Sequence, residues 1–282
     1  MAEGASLSKG TGGAVAGPRV LLRPVLPVDV DALYRLSLHP SVSWRWRYRG
    51  TAVSPEEFAV HLRQDVLVHF VVERRDSAEP IGYVVGSGAN HRDGWAYVAA
   101  LGVPTVNGSG LMVEATALLV GYLFSNWTFR KLYFDVNEYN LPQFASALQR
   151  YFSIEGQLKA HVWNGGRYWD TFILSVDRST WEGFAERAFT ASRVQAGEVA
   201  QVILTFDEFL GELRRQFPEQ ARDIDADSHV LADLGFDSLD MFELLELLDT
   251  LTGEWQFREE DPALTVRDIY RDYCIKLQLP IN

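Results

Sequence analysis

The chain has 282 residues, 47% of them hydrophobic and eight of them Trp, which is material for about two domains at roughly 100–200 residues each. No apolar run approaches membrane-spanning length, and a formal net charge of −12 argues against nucleic acid as a partner. The one cysteine, Cys274, permits no bridge within the chain, fits a reducing cytoplasm and reads as packing.

Residues 1–17 (MAEGASLSKGTGGAVAG) are Gly, Ala and Ser without a hydrophobic signal core and read as a disordered start with no export signal. RVLLRP (19–24) reads as a first strand, VDVDALYRLSL (28–38) as a helix, and SPEEFAVHLR (54–63) as a second helix opened by Ser54 with Pro55 in its first turn. Between them Trp44-Arg45-Trp46-Arg47-Tyr48-Arg49 alternates aromatic and cation, and an extended segment would separate the two kinds on opposite sides. HFVVER, IGYVVGS and WAYVAALGV (69–74, 81–87, 95–103) read as an antiparallel meander. Leu111, Ala115, Leu118, Leu119 and Tyr122 share one face of a helix over 111–124, and LYFDV (132–136) returns as a strand, which makes a strand-helix-strand crossover. A helix from Asn140 to Phe152, strands at 158–163 and 168–176, and a short helix over 177–189 complete a mixed, mostly antiparallel α+β domain.

ASRVQAGEVA (191–200) reads as a small-residue linker, so that 18–190 and 201–282 form separate domains. The charge divides unevenly between them: residues 201–282 hold 7 Lys/Arg against 19 Asp/Glu, the whole of the net −12. That asymmetry points either to an acidic face that meets partners or, on composition alone, to a solvated acidic surface with no specific partner. In LADLGFDSLDMFELLELL (231–248), Asp237-Ser238-Leu239 opens an amphipathic helix whose Met241, Leu244, Leu245 and Leu248 make the buried stripe. Asp240, Glu243, Glu246 and Asp249 are left for an exposed acidic surface, and a serine at such a helix start suits a phosphate on its hydroxyl. The DSL tripeptide alone supports no more than an ordinary N-cap.

In context, residues 202–276 resemble an acyl carrier protein, a small all-α bundle. The resemblance implies 4′-phosphopantetheine on Ser238, with Asp237 and Leu239 flanking it, a phosphopantetheinyl transferase as partner, and a polyketide or fatty acid synthase that delivers the acyl chain. Residues 19–176 are similar to GNAT domains of the ribosomal-protein N-acetyltransferase type, through Gly108, Gly110, Glu114, Ala115, Asn140, Phe152, Glu155, Gly156, Gly166, Arg167 and Asp170 taken in order. That resemblance implies an amide-forming acyltransferase in which Leu101-Gly102-Val103 polarises the thioester, Gly108 and Gly110 hold the donor, and Asp135 is the base near Asn140. Tyr151 and His161 are further candidates for acid–base work, since Ala147 stands where many relatives carry a tyrosine. Asn107 and Met112 depart from the family's pyrophosphate loop, and so favour a carrier-borne donor over acyl-CoA. Arg45, Arg47 and Arg49 are expected to receive the acidic carrier helix, with Trp44 and Trp46 along an acyl or peptide path. The two-domain order is similar to GNAT–carrier proteins of goadvionin-type lipopeptide pathways, which implies an amine-bearing peptide acceptor. No metal is expected, and the oligomeric state, homodimer included, is left open. Two alternatives stand beside this: a module that loads an acyl group from acyl-CoA onto its own carrier thiol, and a non-catalytic docking scaffold.

Overall fold

A computed structural model describes residues 13–46, 48–49, 51–185, 203–253, 255 and 264–279. The chain divides into two compact units, residues 1–107 with 111–185, and residues 108–110 with 186–282. The linker read over 191–200 lies outside the described residues, as do Arg47 and the first twelve residues of the expected disordered start.

In the first unit eight strands form one sheet: β1 (Val15–Ala16), β2 (Val20–Pro24), β3 (Val66–Arg74), β4 (Pro80–Asn90), β5 (Trp95–Gly102), β6 (Lys131–Asn137), β7 (Ser153–Asn164) and β8 (Arg167–Asp177). Their order is β1-β2-β3-β4-β5-β6-β8-β7, and every pairing is antiparallel except the central β5–β6 pair. The parallel pair needs a crossover, and α3 (Leu111–Asn126) supplies it, packed on β2, β4 and β5. On the other face α1 (Val30–Leu38) and α2 (Pro55–His61) cover a core of Leu33, Phe58, Leu62, Val71, Tyr83 and Val85. The start of α2 is written locally: Ser54 accepts the Glu57 N–H, and the Glu57 carboxylate accepts the Ser54 N–H. The helix expected from Asn140 is instead a 3-10 turn over Glu138–Phe144 followed by α4 (Ala145–Arg150), and α5 is described over 178–185.

Val15–Ala16 is ordered as an edge strand rather than part of a disordered start, and the reason lies in α3. The buried Glu114 carboxylate accepts the N–H groups of Arg19 and Val20 at 2.9 and 3.0 Å and pairs with the Arg19 guanidinium at 3.1 Å. A Cβ on Gly17 would run into that carboxylate, so only glycine passes there. Glu114, a match to the family pattern, is therefore a structural clamp. Glu114→Ala is expected to cost about 3–5 kcal/mol in denaturant unfolding, because it strands a cation and two amides.

In the second unit α6 (Phe206–Gln216), α7 (Ser238–Thr252) and α8 (Val266–Lys276) surround a core that includes Phe209, Leu213, Leu244, Leu248, Ile269 and Tyr273. Thr205 and Thr265 cap α6 and α8 through reciprocal bonds with Glu208 and Asp268. The expected stripe of Met241, Leu244, Leu245 and Leu248 lies in this core, with Cys274 beside it. The four carboxylates expected to form an exposed acidic surface, Asp240, Glu243, Glu246 and Asp249, are instead buried, none more than 9% exposed. Asp240 accepts the Asp237 N–H, and Asp249 accepts the Trp255 N–H.

Candidate active site

The sheet opens where its two parallel strands part. β5 and β6 pair only from Trp95–Tyr97 to Lys131–Tyr133, although β5 continues to Gly102 and β6 to Asn137. Beyond Tyr97, β5 stays laddered to β4 and β6 to β8, which leaves a wedge between Val98–Gly102 and Phe134–Asn137. The Val103 N–H donates to Ile81 O at 2.8 Å, so Leu101 and Val103 turn their amides to β4 while Ala100 and Gly102 turn theirs to the wedge. Within the segment 101–103 expected to polarise a thioester, the amide that faces the opening is thus that of Gly102, joined by Ala100, and not those of Leu101 and Val103.

The loop from Gly102 to α3 starts at this wedge. Gly108 and Gly110 hold φ of 81° and 79°, which only glycine adopts without strain, so both serve the turn into the helix. Met112 does not crowd the loop as expected. Its side chain lies against Gly82 and Gly102, where an added Cβ would meet the thioether sulfur at 2.7 and 3.2 Å. The missing side chains of two strand glycines make the slot that takes it.

Alternation along β6 buries Leu132, Phe134 and Val136 on the α3 side and turns Tyr133, Asp135 and Asn137 to the α1–α2 side. Asp135 reaches solvent at its edge, yet the groups packed around it desolvate the carboxyl enough to raise its pKa above the ordinary value, and the nearby His161 partly offsets this. The Tyr97 phenol is likewise pushed up, first by burial and then by Asp135 and Tyr133, and the two tyrosine rings stand 5.6 Å apart. The structure therefore brings together Asp135, His161, Tyr97 and Tyr133. The last two were missed in the sequence, although the alternation in WAYVAALG sets Trp95 and Tyr97 on one face.

Asn140 sits in the turn after β6, and its Oδ1 is buried with no hydrogen-bond partner among the described residues. A buried orphan acceptor is uncommon in a folded protein and marks a place where a donor is awaited. Tyr139 beside it accepts from Asn137 Nδ2 at 2.8 Å, donates to Trp44 O at 3.2 Å, and packs on Trp44 and Trp169. Tyr151 follows α4, and its ring is taken up edge-on by Phe184 at 4.9 Å.

The Trp-Arg run is not extended. Residues 41–45 and 48–49 are turns, with the Arg45 and Trp46 N–H groups both donating to Val42 O. Aromatics and cations are consequently not sorted to opposite sides: the Arg45 guanidinium lies over the Trp44 ring at 4.4 Å, Trp46 packs near Tyr83, and Tyr48 packs near Phe58 and His61. Arg49 takes a left-handed φ of 50°, as a turn allows and a strand does not.

In the second unit Asp237 is the N-cap of α7, and its Oδ1 accepts the Leu239 and Asp240 N–H groups at 2.9 and 3.1 Å. Ser238 is the first helical residue, half-buried, and makes no hydrogen bond with its hydroxyl among the described residues. The capping role thus belongs to Asp237 and leaves the serine oxygen unused.

A mixed sheet whose two central parallel strands splay, with a glycine loop and crossover helix after the first of them, defines the class: residues 19–148 match the family model described as the acetyltransferase (GNAT) domain, and this is a GNAT acyltransferase domain. Similar solved structures include a probable GNAT-family acetyltransferase from Chromobacterium violaceum, 23% identical with a TM-score of 0.52, covering 64% of this chain and 94% of that one. A GCN5-related N-acetyltransferase from Brucella melitensis is 22% identical, TM-score 0.52, over 64% and 86% of the two chains. The spermidine N-acetyltransferase from Vibrio cholerae, solved in complex with CoA and spermine, is 20% identical, TM-score 0.52, over 58% and 99%. At these identities the likeness is one of fold. None of the curated proteins matches the chain. Among the described residues no helix is long and apolar enough to cross a membrane, and no group of three or more His, Cys, Asp and Glu could hold a metal ion.

Proposed function

We propose that the chain forms an amide between an acyl group, borne as a thioester on 4′-phosphopantetheine at Ser238, and an amine. The observation that carries this reading is the free hydroxyl of Ser238 at the first position of α7, beside a separate residue that already caps the helix. In the reaction the amine nitrogen attacks the thioester carbonyl, the carbon–sulfur bond breaks, and the amine proton passes to Asp135 while the thiolate leaves on the arm. On this reading the Ala100 and Gly102 amides, which turn away from β4, would receive the developing oxyanion, and the unpartnered Asn140 Oδ1 would accept an amide N–H of the substrate. The acceptor is an amine-bearing peptide on this reading, and a phosphopantetheinyl transferase and a polyketide or fatty acid synthase supply the loaded arm.

A second reading draws support from Met112. With its side chain tucked against Gly82 and Gly102, it gives no reason to exclude acyl-CoA as the donor at the same loop. Single-turnover intact-mass spectrometry separates the two. The protein is loaded with an acyl-phosphopantetheine arm, freed of acyl-CoA, and mixed with a peptide amine. Loss of the acyl mass from the protein with its gain on the peptide supports the carrier route. Transfer only after acyl-CoA is restored supports the second.

A further inference from the structure

A hydrogen-bonded chain ties the turn after α1 to the end of β6. Thr171 Oγ1 on β8 donates to Asn137 Oδ1 at 2.9 Å, Asn137 Nδ2 donates to the Tyr139 phenol oxygen at 2.8 Å, and the phenol donates to Trp44 O at 3.2 Å. Each group has one role in the series, so the chain runs one way and fixes Trp44. The rings follow it: Trp44 packs on Tyr139 at 5.0 Å, and Tyr139 on Trp169 at 5.3 Å. Arg45 lies on this platform, its guanidinium 4.4 Å from the Trp44 ring centre and its backbone N–H bonded to Val42 O. Among the described residues that guanidinium has neither a hydrogen-bond acceptor nor a carboxylate, although its Nε is buried. Arginine cannot escape this by losing its proton, and a buried N–H without an acceptor is uncommon in a folded protein. A guanidinium held against an aromatic ring is pre-organised for a planar anion.

We propose that Arg45 binds a carboxylate on the same peptide whose amine is acylated. The inference rests on the reading of this domain as an acyltransferase for peptide amines, and adds what the peptide carries. Position favours the peptide over the donor as the source of the anion. Asn137, Tyr139 and Trp44 continue the face of β6 that carries Asp135, whereas α3, which follows the donor loop, covers the opposite face. Asn137 stands roughly 6.5 Å along the strand from Asp135, as two residues of extended chain require. Arg45 is three side-chain contacts further on, so the carboxylate belongs within the first several residues of the peptide.

The test is isothermal titration of the whole protein, without acyl donor, with short peptides that share a free N-terminus and carry a single Asp at successive positions, beside an all-neutral peptide. One position of the Asp is expected to bind about 10–100-fold more tightly than the neutral peptide, as a charge-assisted bond at a partly buried site gives. Arg45→Gln is expected to remove that preference and leave the neutral peptide's affinity as it was. Arg45→Lys, the milder change, keeps the charge without the planar fork and is expected to fall between. No preference for any acidic peptide in the wild-type protein overturns the proposal, as does a folded Arg45→Gln or Arg45→Lys protein that keeps the full preference. Unchanged peptide binding in Arg45→Gln with slower transfer from the loaded carrier also overturns it, and assigns the guanidinium to the carrier. Since no donor is present, Ser238→Ala is expected to bind the acidic peptide as the wild type does, whichever donor the enzyme uses.

Discussion

Replacing Ser238 by alanine is expected to give a folded protein that takes up no phosphopantetheine arm and forms no amide from a carrier-loaded chain. The substitution is benign to the helix: alanine gains up to about 0.5 kcal/mol in helix propensity over serine, and Asp237 continues to hold the Leu239 and Asp240 amides. The loss is thus chemical, since no other hydroxyl stands at the start of α7. On the proposed carrier route the donor is delivered within one molecule, at an effective concentration of about millimolar for a short flexible tether, and the single-turnover rate should not depend on protein concentration. Intact mass after incubation with a phosphopantetheinyl transferase and an acyl-CoA, then with a peptide amine, checks both steps. A Ser238→Ala protein that acylates the peptide from acyl-CoA at the wild-type rate would assign the donor role to acyl-CoA and remove the arm from the reaction.

Asp135→Asn is expected to lower the transfer rate by about 10²–10⁴-fold with little change in acceptor KM, because a general base acts in the transition state rather than in binding. The pH dependence sharpens the assignment. The base must be ionised, and desolvation holds the folded pKa of Asp135 above the ordinary carboxylate value. Activity is therefore expected to fall as pH drops through a midpoint above the usual carboxylate range, and this acid limb should vanish in Asp135→Asn. Stability carries the opposite sign. A carboxyl whose pKa is raised by folding favours the folded state less once it ionises, so Asp135→Asn should be the more stable protein at neutral pH, and the difference should fade below the unfolded carboxyl pKa. Near-normal turnover in a folded Asp135→Asn protein would show that proximity alone carries the aminolysis.

Much of the fold is legible in one dimension because its signals are local. The two-residue alternation of β3, β4 and β5 announces the meander, Ser54 through Glu57 writes the start of α2, and Met241, Leu244, Leu245 and Leu248 mark the inner stripe of α7. Asp237-Ser238-Leu239 was legible too, but only the cap geometry shows which of its side chains holds the helix and which is spare. The active-site wedge was not legible in its detail. Whether the amide of Leu101 or of Gly102 faces the opening depends on the ladder with β4, and where Met112 goes depends on two glycines from different strands. Trp44–Arg49 misled because alternating chemistry implies alternating sides only in extended backbone, and the bonds to Val42 O coil it. The sequence by itself determined the period of each element, its caps, and the helix on which Ser238 stands, since these depend on neighbours within a few residues. Only the tertiary structure decided the parting of β5 from β6, the company of Asp135 and the packing of Trp44 on Tyr139, because each results from pairing between segments distant along the chain, whose register no single segment encodes.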